Sequence, residues 1–412
     1  MPPIVPLDVV WVIIEHLFQL DPASVKTCSL VCHAFLPICR RHIFGHIRVK
    51  DDNDVRKFHQ LLSDTPIIGI YIRKLNLPYE MALSTADADS KVLGKITGLR
   101  FLCIGNLVSL RSGVVTFGKL TGPPWHQYPL RWAVLHFFSL QFFTTLELNG
   151  VLDFLVADLA PCKNLNLLIR AVGFTTDIPP NIQCPPINVG KLHIENLTRS
   201  VGMHMWGAKC ADGEPFMNVS SLTELSFQYD INTLQDMLDM FSHCRQLVTL
   251  ELNVENCITT GLARLFTNGA TPKTLKKLDI FIVYDNDRSD DPFCGLVDEI
   301  KQMNAENVIE EITIQVYILS GLDRTRHDKW GRLDEALARS EWSQLHRVSL
   351  KIVVGQDADD VAVQAFHTDF PKFPITQYPL LSSTSSLVFD FQVYPEDVWW
   401  NLSSDWEDWE DY

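Results

Sequence analysis

The sequence predicts an α/β fold: a short N-terminal three-helix module followed by an irregular repeat solenoid, a curved parallel sheet with helices on its convex side. Three observations lead there. The chain returns nine times to an apolar-x-x-apolar-x-apolar unit, segments with helical periodicity alternate with the later copies, and the first 48 residues have helical spacing instead. The resulting boundaries are 1–48 for the helical module, 49–394 for the solenoid and 395–412 for an acidic, tryptophan-rich tail.

In the opening segment, Pro6 to Phe44 reads as three short helices. Asp21 followed by Pro22 is a helix start, with the carboxylate placed to cap free amides and proline preset for the first turn. In the helix before it, Val9, Ile13, Leu17 and Leu20 form one apolar stripe, and Val10, Ile14 and Phe18 form a second about 100° away. A unit this small cannot hide both stripes, so a partner or the next domain is expected to cover one of them. The second helix is expected to run into Cys28 to Phe35, and the third from Leu36 to Phe44 with Arg40 and Arg41 on its polar side.

The repeat units are Ile72-Leu75-Leu77, Leu99-Leu102-Ile104, Phe143-Leu146-Leu148, Val189-Leu192-Ile194, Leu222-Leu225-Phe227, Leu247-Leu250-Leu252, Leu275-Leu278-Ile280, Ile309-Ile312-Ile314 and Leu345-Val348-Leu350. From residue 189 they recur at 33, 25, 28, 34 and 36 residues. Between them Ile231, Leu234, Leu238 and Phe241, then Phe293, Leu296, Ile300 and Met303, have the spacing of buried helical faces. Side chains alternate along a strand, so the anchors point into the core and the residues between them line the open face. On that concave face Lys191, His193, Glu224, Glu251, Asp279, Phe281, Thr313 and Arg347 are the candidate substrate-binding residues. The insertion 121–129, with Trp125 and Tyr128, and that at 201–218, with Met203, Met205 and Trp206, read as loops whose aromatic residues pack over an edge or serve as anchors.

Composition bounds the function. With 412 residues, 46% hydrophobic and 21% charged, the chain should build a real core. A formal net charge of -15 disfavours non-specific binding to nucleic acid and to anionic membrane. The start has no basic segment before an uninterrupted apolar run, so a cytoplasmic or nuclear protein is expected, with its ten cysteines as free thiols. The tail carries seven acids and four tryptophans from Glu396 to Tyr412 without a basic residue.

No catalytic set emerges. Gly113 to Lys119 fits a phosphate loop until Leu120 stands where a hydroxyl should bind magnesium. Cys28 with Cys32, or Cys39 with His42 and His46, lack the flanking pairs of a zinc site. The run Asp285 to Asp291 departs from a calcium loop at Asp290 and Leu296. The expectation is no enzyme activity, no cofactor and no metal.

Two resemblances complete the reading. Leu247 to Cys257 resembles a leucine-rich repeat with its Asn-Cys pair delayed. Pro6-Leu7-Asp8-Val9, Ile13, Leu17, the Ser29-Leu30-Val31-Cys32 run and Arg40-Arg41 before Phe44 resemble an F-box, as in the F-box-like proteins of mushroom-forming fungi. Val5-Pro6 replaces the usual leucine-proline opening, and Phe35 stands where tryptophan is common. The resemblance implies docking on a Skp-type adaptor and, through it, on a cullin ubiquitin ligase, with Pro6, Leu7, Val9, Ile13, Leu30, Val31 and Phe35 in contact and an unidentified protein as substrate. The alternative is a repeat scaffold unconnected to ubiquitin, capped by the same helices.

Overall fold

In the computed structural model, residues 6–79, 90–105, 123–175, 185–195, 208–210, 212–229, 234–255, 259, 261–267, 273–285, 291–303, 307–319, 327–338, 342–355 and 360–396 are described. The chain divides into two compact units, residues 1–187 with 207–216, and residues 188–206 with 217–412.

The first unit begins with three helices, α1 (Leu7–Leu20), α2 (Pro22–Cys28) and α3 (Leu36–Gly45). Asp21 caps α2 by accepting from the Ala23 amide at 3.1 Å, and Pro22 occupies the first turn. The segment from Ser29 to Phe35 is a chain of hydrogen-bonded turns, not the continuation of α2 that its spacing suggested. The run holds Ser29, which caps the preceding turn by donating to the Lys26 carbonyl at 2.6 Å, and such local bonds compete with helix.

Directly after α3 come β1 (His46–Arg48), helix α4 (Asp52–Asp64), β2 (Lys74–Leu77), β3 (Phe101–Gly105), β4 (Thr145–Asn149) and β5 (Asn164–Arg170). These five strands pair in sequence order and all in parallel. Ile47, Leu75, Leu102, Leu146 and Leu167 stand side by side in one row of the ladder. The last four are fully buried. The ladder therefore starts at His46, so that the three residues of β1 lie inside the segment that reads as the helical module.

The insertion at 123–129 is part of the core. Trp125 and Tyr128 are buried and stacked 5.4 Å apart, so they are not surface anchors. Trp125 donates to Asp158 at 2.7 Å, and the same carboxylate takes two bonds from Arg131 at 2.9 Å. Tyr128 donates to the Pro78 carbonyl at 3.1 Å, and Tyr79 to the Pro123 carbonyl, with burial pushing the Tyr79 phenol up to about 12. An indole or phenol can be buried this way because its polar end finds a partner.

The second unit carries β6 (Ile187–Glu195), β7 (Met217–Asn218), β8 (Glu224–Tyr229), β9 (Thr249–Glu255), β10 (Lys277–Tyr284), β11 (Glu311–Ile318), β12 (Arg347–Val354) and β13 (Val388–Pro395). The six pairings from β6 through β8 to β13 are parallel and follow sequence order, with β7 attached to β6. Each crossover after β8 contains helix, including Leu234–His243, Leu262–Thr267, Leu296–Gln302, Arg332–Leu337 and Asp360–Thr368. The architecture is thus a solenoid-like α/β repeat in which one strand and one helical return make each turn.

Anchors and helical faces follow the pattern, with one shift. Leu192, Leu225, Leu250, Leu278, Ile312 and Val348 are buried in register. Phe293, Leu296, Ile300 and Met303 are buried as their spacing requires. In the helix Leu234–His243 the buried face is Met237, Met240 and Phe241, followed by Cys244, while Leu238 is only half-buried. Methionine fills that space as readily as leucine.

Candidate functional site

Two surfaces hold the residues that the sequence singles out. The first is the three-helix segment. Val10 and Ile14 of α1 pack with Val25, Ile38 and Cys39 into a small core, and Trp11, Leu17, Cys28, Phe35 and Ile43 lean against it. The two stripes of α1 are each divided: Val10 and Ile14 of one and Leu17 of the other pack, while Val9, Ile13 and Leu20, with Leu7, Val12 and Phe18, leave an open stripe, and Leu30 and Val31 are exposed in the turns after α2. Of seventeen exposed large apolar side chains among the described residues, eight fall between residues 7 and 31, far more than that short stretch would hold by an even spread.

The candidate residues divide accordingly. Leu7, Val9, Ile13, Leu30 and Val31 are all open to solvent, Leu30 at 85% and Ile13 at 56%. Pro6 is exposed just ahead of α1 and its carbonyl accepts the Val10 amide at 3.1 Å. Phe35 is half-buried against the core and serves packing. The opposite flank is held by Trp11, which donates to Glu15 at 2.9 Å and lies 4.7 Å under the Arg41 guanidinium. His42 sits 5.1 Å from the Phe18 ring, and burial, helped by Arg41 and opposed by Glu15, holds it below the usual histidine range.

The second surface is the polar face of β6 to β13. Parallel register aligns the residues between the anchors into rows. Lys191, Glu224, Thr249, Lys277, Glu311, Arg347 and Val388 form the first row. His193, Ser226, Glu251, Asp279, Thr313, Ser349 and Asp390 form the second. The third contains Gln228, Asn253, Phe281, Gln315, Lys351 and Gln392. All eight candidates fall in these rows: Lys191, Glu224 and Arg347 in the first, His193, Glu251, Asp279 and Thr313 in the second, and Phe281 in the third.

Charges of both signs interlock there. Lys191 pairs with Glu224 at 2.9 Å, Lys277 with Asp279 at 2.9 Å and His193 with Glu195 at 2.6 Å. Burial pushes the Glu251 carboxyl above its ordinary range, Asp279 and Glu195 push the same way, and His193 and the Ser226 hydroxyl oppose them. Burial pulls Lys277 down, but its bond to Asp279 and the carboxylates around it win, so its ammonium is held above the usual lysine range. The side-chain oxygens Asn253 Oδ1 and Asp279 Oδ1 are shut off from solvent without a hydrogen-bond partner.

Sequence reading missed Asp390 and Gln392, which extend the second and third rows on β13. The signal is weak because the position equivalent to Leu345 is Ser386, so the repeat lacks its first anchor. Among the described residues no group of three or more His, Cys, Asp or Glu side chains is placed to hold a metal, and no helix is long and apolar enough to cross a membrane. The phosphate-loop-like run, residues 201–207 and 211 of the insertion 201–218, with Met203, Met205 and Trp206, and the tail beyond Glu396 lie outside the described residues. Comparison with known proteins found no matching family model and no matching curated sequence.

Proposed function

We propose that the chain is a non-catalytic protein-interaction subunit, the substrate-recognition adaptor of a Skp-cullin-F-box ubiquitin ligase. In this reading the three N-terminal helices form an F-box-like module that docks on a Skp-type adaptor. The strand ladder curves into a leucine-rich-repeat solenoid with helices on the convex side, and the concave face selects a protein substrate. The contribution is proximity, and other subunits supply the chemistry. The observation that carries it is the open stripe of α1 with Leu30 and Val31, an apolar surface at the residues where an F-box would meet its adaptor. The mixed charges of the three rows, with Phe281 among them, suit recognition of a polypeptide.

A second reading is a repeat scaffold unconnected to ubiquitin, in which the helices cap the array. It is favoured by the direct passage of α3 into β1, whose neighbour β2 continues the ladder.

One experiment separates them. The full chain is mixed with a Skp-type adaptor and cullin scaffold, and co-elution is measured for the wild type, for Ile13→Asp with Leu30→Asp, and for Ile14→Asp. The exposed pair should abolish adaptor binding at an unchanged melting temperature, because a charge buried in the interface costs several kcal/mol and each 1.4 kcal/mol is tenfold in affinity. Ile14→Asp places its charge in the small core and should unfold the helical segment. If the wild type never co-elutes, or the exposed pair still binds, the ligase reading fails and the scaffold reading replaces it.

A further inference from the structure

Three arginines of the first unit lie close enough for their charges to act on one another, and among the described residues no acid forms an ion pair with any of them. Lys74 pairs with Phe101 and with His46, so the preceding positions, Gly45, Arg73 and Arg100, also stand side by side. The backbone confirms it: the Arg73 amide donates to the Gly45 carbonyl at 2.8 Å, and the Arg100 amide to the Arg73 carbonyl at 2.8 Å. Arg41 lies four residues before Gly45 on α3, one helical turn back along the same face. Arg73 and Arg100 are thus neighbours across the ladder, and Arg41 completes the group.

The middle guanidinium is held in place. Arg73 Nη1 donates to the Gly98 carbonyl at 2.7 Å. A Cβ on Gly98 would run into Arg73 Nη1 and lie 2.7 Å from the Ile70 carbonyl oxygen, so glycine is what lets the guanidinium reach this seat. That bond uses one nitrogen and leaves the edge formed by Nε and Nη2. Nε is shut off from solvent and has no hydrogen-bond partner. Arg41 is placed with its Cζ 4.7 Å from the centre of the Trp11 ring, a cation–π contact that uses no N–H donor on an acceptor atom. Arg100 is exposed.

This grouping runs against the rest of the molecule. Asp and Glu outnumber Lys and Arg by 50 to 35, yet none of these three arginines forms an ion pair with a carboxylate among the described residues. Burial lowers the basicity of Arg73, and the charges of Arg100 and Arg41 lower it further, so the cluster is self-repelling as it stands. An oxyanion would reverse the repulsion and supply the missing acceptors. Planar guanidinium edges match phosphate and carboxylate oxygens in pairs. Three separate guanidiniums favour a dianion with three terminal oxygens over a carboxylate with two.

We propose that Arg73, Arg100 and Arg41 form an oxyanion site at the start of β2 and β3 that binds a phosphate group. The site is separate from the open stripe of α1 and from the polar rows of the second unit, and its existence does not depend on the ubiquitin reading. The overall negative charge repels anions at a distance, so binding comes from the short-range bonds and survives at physiological ionic strength, where the screening length is about 8 Å.

The test is calorimetric titration of the full chain with inorganic phosphate, at constant ionic strength set with chloride, and with acetate in a parallel series. The expected result is saturable phosphate binding that Arg100→Gln weakens about tenfold or more, as loss of a charged bidentate partner requires. Arg100 is exposed, so that variant keeps the wild-type melting temperature. Gly98→Ala changes no charge but displaces the Arg73 guanidinium, and it should weaken binding too, a response that a diffuse positive surface would not give. The proposal is overturned if phosphate gives no heat beyond the chloride control, if acetate binds as tightly, or if Arg100→Gln binds phosphate like the wild type.

Discussion

Replacing Glu299 by alanine should destabilise the second unit by about 3 kcal/mol. Glu299 is buried on the helix Leu296–Gln302 and reaches the preceding helical return. Its Oε1 accepts the Gly261 amide at 2.8 Å and its Oε2 the Ala263 amide at 2.7 Å. Both amides belong to the start of the helix Leu262–Thr267, where the first turn has no carbonyl of its own to bond. A hydrogen bond to a charged acceptor contributes about 1.5–3 kcal/mol, so two give roughly 3–6. Water can reach the part-buried Gly261 amide in the variant, which brings the loss toward the lower end. For a unit of roughly 200 residues that lowers the melting temperature by about 6–12 °C. Differential scanning calorimetry of the full chain reads it directly. Glu299→Gln should lose about half as much, since the carboxamide keeps one acceptor oxygen. A fall of less than about 2 °C for the alanine variant would refute the argument that carboxylates tie successive repeats together. Asp334 repeats the device, accepting the Leu380 amide at 3.0 Å and the Leu381 amide at 2.8 Å.

Two further outcomes follow from the titrating groups. The raised pKa of Glu251 means that the folded state holds its proton more tightly than the unfolded chain, so protonation stabilises the fold fully below the ordinary value of 4.5 and that stabilisation is lost as pH rises through the folded value. Glu251→Gln should therefore be more stable than the wild type near pH 7, and urea midpoints should show the advantage shrinking on acidification; an advantage independent of pH would exclude burial of the charge as its cause. Thiol alkylation followed by peptide mass spectrometry should modify exposed Cys32 first. Buried Cys162 and Cys244, whose thiols burial pushes up to about 12, should stay unmodified until denaturant is added. Early labelling of either would show that its repeat opens readily.

Much of the fold was legible because it depends on periodicity. Each of the nine sequence units falls on a strand whose anchors are buried, since alternation along a strand and burial of one face leave a direct trace in the sequence. β13 was missed where serine replaces an anchor, and β1 because Ile47 and Val49 follow a helix without a break. The two stripes of α1 were legible as an excess. Their spacing could not say which residues would be buried, because both stripes are apolar, and only the packing of Val25, Ile38 and Cys39 against Val10 and Ile14, with Leu17 leaning in from the other stripe, made that choice.

The sequence by itself determined the alternation of strand and helix, the anchors, the rows of polar residues and the cap at Asp21, because these rest on interactions between residues close in the chain. Tertiary structure alone decided which residues from distant repeats meet. Lys191 meets Glu224, Asp158 holds Trp125 and Arg131, Glu299 caps a helix start 36 to 38 residues earlier, and Arg73 comes to lie beside Arg100. Those partnerships depend on the length of each return and on parallel register. The repeat spacing varies from 25 to 36 residues, so local pattern fixes what each residue faces and only the folded ladder fixes whom it faces.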